Sequence, residues 1–205
     1  MHYAHRFIAL ALLALSAPAF AQPADGLGAG AALPEATRTL SAADGASVTL
    51  SGAAGQNGLV VVFWSNVCPW ADRYAERVAE LADSYVPAGI GFVAVNPNDA
   101  SRFPEEGPEG MQQAATAAGF AFPYVVDDGG TLARAFHVRS APTVYFFDAA
   151  GTLVYEGAID DSPSSGDDVE AAYLEDAMDQ HLAGRPVEVQ RTAALGCTLR
   201  LAGGR

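Results

Sequence analysis

The fold of this chain is decided by the stretch Gly58-Leu59-Val60-Val61-Val62-Phe63-Trp64-Ser65-Asn66-Val67-Cys68-Pro69-Trp70. The apolar run at residues 59–64 predicts a buried strand, and residues 72–86 carry apolar side chains at helical spacing. Cys68 therefore lies at or near a helix N-terminus, where unpaired N–H groups and the helix dipole favour a thiolate. Two interpretations remain open at this point: a reactive sulfur, or a small buried residue at a tight turn.

The first 21 residues have the pattern of an export signal. A short basic start ending at Arg6 precedes an apolar run at residues 7–15, and Ala19-Phe20-Ala21 forms an A-x-A cleavage site. The apolar run is shorter than the roughly 20 residues that span a bilayer. We therefore expect residues 1–21 to be removed and the mature protein to be exported to a periplasmic or extracellular location.

The charge of the chain bears on its partners. The formal net charge is −13 over 205 residues, and the sequence contains no lysine. Binding to nucleic acid or to anionic membranes depends on Lys and Arg that neutralise phosphate. We therefore expect no nucleic-acid partner and, after cleavage of the leader, no membrane partner. Two alternative causes of this composition stay open: a salty habitat, or a GC-rich genome that favours Ala, Gly and Arg over Lys.

The sequence contains two cysteines, Cys68 and Cys197, and both follow the leader. An oxidising compartment allows them to pair. Their separation is not that of a metal-binding motif, and no cluster of His and Cys accompanies them. We expect neither a metal nor another cofactor.

The order of predicted elements indicates one domain at residues 37–184. A Gly/Ala-rich, flexible lead-in at residues 22–36 precedes it, and a tail at residues 185–205 carries Cys197. Strands alternating with helices predict an α/β fold with a central mixed sheet flanked by helices and an N-terminal hairpin. We expect a hairpin at 37–50, strands at 59–64, 90–95, 122–126, 143–147 and 152–155, and helices at 72–86, 109–118, 131–136 and 169–182.

Four motifs carry a family resemblance. Residues 64–69 (Trp-Ser-Asn-Val-Cys-Pro) resemble the W-C-x-x-C-P run of exported thioredoxin-like proteins, with serine in the first cysteine position. Residues 138–143 resemble the loop that carries the cis-proline of that fold. Residues 157–162 and 196–200 are similar to the "GxIDDS" and "GC-x-(I/L)-(K/R)" runs of one redoxin-like subfamily. Over residues 37–200 the chain thus resembles the thioredoxin-fold superfamily, and within it the redoxin branch of alkyl hydroperoxide reductase and thiol-specific antioxidant proteins.

The resemblance implies roles for five residues. Ser65 cannot act as an attacking thiolate, so the ordinary C-x-x-C mechanism is excluded, and the remaining S-x-x-C pattern is similar to that of peroxiredoxins. Cys68 then attacks peroxide and becomes a sulfenic acid, and Ser65 positions the peroxide or supports the thiolate. Cys197 resolves the sulfenic acid as a disulfide, which an external thiol reductant resets. Arg139 adds positive potential, and Pro142 is the cis-proline beside the site.

Alternatives stay open for these residues and for the function. Cys197 also fits a static disulfide, Pro142 a trans-proline at a strand start, and Arg139 a solvated charge. Asn96 and Asn98 either border the site or form a plain turn. Three functions fit: a peroxiredoxin-like antioxidant protein, a monothiol exchange protein acting on disulfides of exported partners, and a non-catalytic binding module with a structural disulfide.

Overall fold

The computed structural model describes residues 26–203; the expected leader lies outside these residues. The strands are β1 (Leu40–Ala42), β2 (Ser47–Val48), β3 (Gly58–Phe63), β4 (Ile90–Asn96), β5 (Tyr124–Val126), β6 (Ser140–Ala141), β7 (Thr143–Phe147), β8 (Leu153–Gly157) and β9 (Cys197–Thr198). The α-helices are α1 (Leu50–Ala53), α2 (Pro69–Tyr85), α3 (Pro108–Ala118), α4 (Thr131–Ala135) and α5 (Tyr173–Leu182).

Seven strands form one mixed sheet in the order β2-β1-β5-β4-β3-β7-β8. β3 pairs in parallel with β4, and β4 pairs in parallel with β5. β7 and β8 are antiparallel on one side, and β1 and β2 form the N-terminal hairpin on the other. The predicted α/β class with a central mixed sheet flanked by helices is therefore confirmed. The two remaining strands, β6 and β9, form a small separate sheet.

The central strand β3 is buried on both of its faces. Val60 and Val62 pack into a cluster with α2 and α5, whereas Leu59, Val61 and Phe63 pack into a second cluster with α1 and α4. Successive side chains of a strand point to opposite faces, so a strand covered on both sides has a continuous apolar sequence. This explains the run that the sequence shows at residues 59–64.

The boundaries differ from the predicted ones mainly at helix starts. α2 begins at Pro69 rather than at residue 72, because a proline is well accommodated at the first helical position, where no N–H is needed. α5 begins at Tyr173 rather than at residue 169, because a separate 3₁₀ turn covers Gly166–Asp168. Within residues 26–203, no helix has both the length and the apolar character required to cross a membrane.

The described part of the predicted flexible lead-in is anchored instead of free. The backbone N–H groups of Leu27 and Gly28 donate to the carboxylate of Glu156 at 2.7 and 3.0 Å. The N–H of Leu33 donates to the carbonyl of Gly151 at 2.8 Å. Glu156 is buried on β8, and a buried carboxylate requires hydrogen-bond donors. This carboxylate therefore holds the lead-in against the sheet.

Four tyrosines report on the integrity of this fold. Burial is the largest cause that raises the pKa of Tyr74, Tyr85, Tyr124 and Tyr155 above the usual value near 10. The folded state holds these protons more tightly than the unfolded state does. The contribution of these tyrosines to the free energy of unfolding is therefore fully present below about pH 10 and is lost as the pH rises above that value. We expect absorbance at 295 nm to show these four hydroxyls ionising only as the circular dichroism signal is lost. Full ionisation near pH 10 with native circular dichroism would contradict this expectation; protein unfolded in urea is the control.

Candidate functional site

The two cysteines are joined at the start of α2. Cys68 is the N-cap residue of this 17-residue helix and is only 2% exposed. It forms a disulfide with Cys197 of β9, with 5.9 Å between their Cα atoms. The sequence left open whether the two sulfurs meet, and the structure brings them together. Because the first N–H groups of a helix have no partner within the helix, the sulfur of Cys68 lies where negative charge is stabilised.

The tail approaches this site through the cis-proline loop. The Ala141–Pro142 peptide bond is cis, as the resemblance implies. β9 pairs antiparallel with β6, which places Cys197 opposite Ala141, and the sulfur of Cys68 lies 3.4 Å from the carbonyl oxygen of Ala141. A side chain at Gly196 has no room, since its Cβ would lie 2.3 Å from that same oxygen. The tail is thus in direct contact with the backbone that precedes Pro142.

Further contacts continue along the tail. The N–H of Leu199 donates to the carbonyl of Arg139 at 2.9 Å. The N–H of Arg200 donates to the side-chain oxygen of Asn98 at 2.8 Å, and its guanidinium lies 4.2 Å from the ring centre of Phe103. Asn98 in turn donates to the carbonyl of Trp64 at 3.4 Å. The loop after β4 therefore supports both the tail and the segment that leads to Cys68.

A buried carboxylate lies behind the loop that carries Cys68. Glu106 is 1% exposed and accepts three hydrogen bonds. The donors are the hydroxyl of Ser65 at 2.5 Å, the N–H of Asn66 at 2.8 Å and the side-chain amide of Asn96 at 2.8 Å. Such bonds are stronger than those between neutral groups. Glu106 thus fixes the conformation of the loop between β3 and α2.

The same network includes a tyrosine. The hydroxyl of Tyr124 donates to the side-chain oxygen of Asn66 at 2.8 Å. Burial, and next the negative charge of Glu106, raise the pKa of Tyr124 well above its usual value. This hydroxyl therefore keeps its proton at physiological pH and remains a hydrogen-bond donor. Asn66 is held from both sides, two residues before Cys68.

The predicted site residues are only partly gathered at one place. Ser65 donates its single hydroxyl proton to Glu106, so in this arrangement it has no proton to donate to the sulfur of Cys68. Arg139 contacts the tail through its backbone carbonyl. The side chain of Arg139 is exposed and lines a surface cavity with His137 and Arg191, whose lining includes neither cysteine. The structure thus brings Cys68, Cys197 and the Pro142 loop together.

The sequence does not show why two residues of the site are required. Glu106 follows another glutamate in a loop rich in Pro and Glu, and nothing in the pattern separates the buried carboxylate from its exposed neighbour Glu105. Gly196 is one of 21 glycines, and its requirement arises only from the approach to Ala141. Within residues 26–203, no group of three or more His, Cys, Asp and Glu side chains is placed to hold a metal ion.

Comparisons with known proteins give a family match and several relatives. A family model described as AhpC/TSA matches residues 29–156. The thiol-disulfide oxidoreductase ResA of Halalkalibacterium halodurans is 29% identical over 112 residues, which are 54% of this chain and 58% of that protein. The crystal structure of an uncharacterized conserved protein from Geobacillus kaustophilus is 33% identical, with a TM-score of 0.81, and the match covers 87% of this chain and 94% of that one.

A thioredoxin-like protein solved in its oxidised form matches with a TM-score of 0.59 and 22% identity, over 77% of this chain and 97% of that one. Together with the sheet order and the cis-proline loop, this match assigns the fold to the thioredoxin-like class. The chain belongs to the AhpC/TSA family, the redoxin branch of that class. The resemblance read from the four motifs is thereby confirmed.

Proposed function

We propose that this protein performs thiol–disulfide exchange and that the bond between Cys68 and Cys197 is its redox-active disulfide. The observation that carries the proposal is the position of this bond, which joins the N-cap of α2 to a strand lying on the cis-proline loop. The name of the relative ResA supports the same activity. Cys197 thereby supplies the second thiol of the redox pair, because position 65 is a serine rather than a cysteine.

The first step is attack by a thiolate of the partner on the sulfur of Cys197. Cys197 is half-buried, whereas Cys68 is 2% exposed, so an incoming thiolate reaches Cys197 more readily. A bond forms between the partner's sulfur and Cys197, the disulfide breaks, and its electron pair leaves with Cys68. A leaving thiolate of low pKa departs faster, and a helix N-terminus lowers the pKa of a cysteine.

The second step completes the transfer of two electrons. A second thiolate of the partner attacks the partner's own sulfur in the mixed disulfide and displaces Cys197 as a thiolate. The partner now holds a disulfide, the protein holds two thiols, and the two protons of the partner's thiols are taken up by solvent or by the released cysteines. The reverse sequence reduces a disulfide of the partner, with Cys197 as the attacking sulfur and Cys68 as the resolving one.

The order of attack can be tested on the oxidised protein with a limiting amount of glutathione. We expect glutathione to be attached to Cys197 and the free thiol at Cys68 to be alkylated when the reaction is quenched at neutral pH with a large excess of N-ethylmaleimide in denaturant. Peptide mass mapping distinguishes the two sites. Glutathione found on Cys68, with Cys197 alkylated, would reverse the assigned roles, and a disulfide that resists excess glutathione and dithiothreitol would refute the proposal.

A second candidate is the reduction of peroxide, which the match to the AhpC/TSA family favours. The thiolate of Cys68 attacks one peroxide oxygen, the O–O bond breaks, and water or alcohol leaves. Cys197 then displaces water from the resulting sulfenic acid and restores the disulfide. The reduced protein treated with one equivalent of hydrogen peroxide distinguishes the candidates: loss of both thiols within seconds favours the peroxidase, and loss over many minutes favours exchange.

A further inference from the structure

Residues 190–200 of the tail are attached to the domain at two separate places. We call residues 190–192 the inner clasp, which lies on β8, and residues 196–200 the outer clasp, which lies on β6 and on the loop after β4. Residues 193–195 connect the two clasps, and within residues 26–203 they make no backbone hydrogen bond. Leu195, in this connection, is 52% exposed.

The inner clasp does not involve the disulfide. The N–H of Glu156 donates to the carbonyl of Gln190 at 3.0 Å, and the N–H of Thr192 donates to the carbonyl of Glu156 at 3.1 Å. The hydroxyl oxygen of Thr192 accepts from the N–H of Ala158 at 2.9 Å. Arg191 forms an ion pair with the Glu156 carboxylate at 3.3 Å. None of these contacts involves either cysteine.

The outer clasp contains the covalent bond between Cys68 and Cys197. β9 contains two residues, and an isolated pair of short strands is marginal in water. Four further contacts hold it at the surface. The N–H of Leu199 donates to the carbonyl of Arg139, the N–H of Arg200 donates to the side chain of Asn98, and the carbonyl of Arg200 accepts from the N–H of Asp99. The guanidinium of Arg200 lies over the ring of Phe103, and Leu199 is partly buried. Regions with few buried contacts and exposed backbone hydrogen bonds are the first to open. The disulfide is therefore the strongest single attachment of this segment.

We propose that the outer clasp is a redox-dependent strap: the disulfide holds residues 196–200 on β6, and its reduction releases them while the inner clasp stays in place. Residues 193–195 act as the hinge. The oxidised protein keeps Cys68 and the backbone of Ala141 covered, and the reduced protein exposes both. The identity of the natural reductant rests on the proposed function. Release of residues 196–200 does not, because any reagent that breaks the disulfide should cause it.

Amide hydrogen exchange measured by NMR tests the strap on the full protein. Dithiothreitol supplies two electrons to the disulfide and is itself oxidised to its cyclic form. On reduction we expect the amide protons of Leu199 and Arg200 to exchange at least tenfold faster. The amide of Thr192, in the inner clasp, serves as the internal control and should change less than twofold. Leu199 and Arg200 amides that stay equally protected after reduction would overturn the proposal.

The variant Cys197→Ser separates this proposal from the proposed function. It lacks the disulfide without any reductant, so it should show the same fast exchange at Leu199 and Arg200 as the reduced wild type. Protected amides in this variant refute the strap even if glutathione reduces the wild type. A native Thr192 amide shows that the variant is folded; the reduced wild type decides the question if it is not.

Discussion

Replacing Cys68 by serine is expected to abolish turnover in thiol–disulfide exchange and to trap the partner on Cys197. A single thiol can form a mixed disulfide but has no second sulfur to resolve it. The variant also loses a bond between residues 129 apart in sequence, and the chain-entropy model assigns about 5 kcal/mol to the closure of such a loop. Turnover of a dithiol substrate, mass spectrometry of the trapped adduct and urea unfolding measure the three effects.

Cys197→Ser is the matched control for Cys68→Ser. Both variants lose the same disulfide, so the chain-entropy model predicts the same loss of stability, and both lack a resolving thiol. They differ in the sulfur that forms the mixed disulfide with the partner: Cys197 in Cys68→Ser, and Cys68 in Cys197→Ser. A variant with one cysteine that keeps a tenth or more of wild-type turnover would show that the pair is not the redox centre. Unchanged stability in both variants would show that the disulfide contributes little to the fold.

Replacing Glu106 by alanine is expected to lower the free energy of unfolding by about 3–5 kcal/mol. The change leaves three donors, from Ser65, Asn66 and Asn96, without the carboxylate that they share, and each unsatisfied buried group costs roughly 1–3 kcal/mol. The loop before Cys68 then loses its support, so the exchange rate should fall as well. Urea unfolding of the oxidised protein and stopped-flow reduction by glutathione measure the two effects.

The neighbouring residue provides the control for Glu106. Glu105 is exposed and contacts the site through its backbone carbonyl, which accepts from the side chain of Asn66 at 2.7 Å. Glu105→Ala keeps that carbonyl, removes one negative charge as Glu106→Ala does, and should change stability by less than about 0.5 kcal/mol. Equal losses in the two variants would mean that the charge of the loop, and not the hydrogen-bond network, supports the site.

The sequence predicts the elements that depend on local patterns. β3 and α2 follow from apolar periodicity, and the position of Cys68 between them follows from their order. The pairing of Cys68 with Cys197 does not follow in this way, because it joins residues that only the complete fold brings near each other. Local patterns likewise do not predict that Glu106 is buried, or that there is no room for a side chain at Gly196. β6 and β9, of two residues each, are too short for any period to reveal.

The position of Cys197 late in the chain has a consequence for biosynthesis. All seven strands of the main sheet precede Cys197, so a ribosome completes them before the second sulfur of the disulfide exists. A nascent domain can therefore acquire its sheet and its buried core while Cys68 is still an unpaired thiol. The pair can be oxidised only in a chain whose translation has passed residue 197.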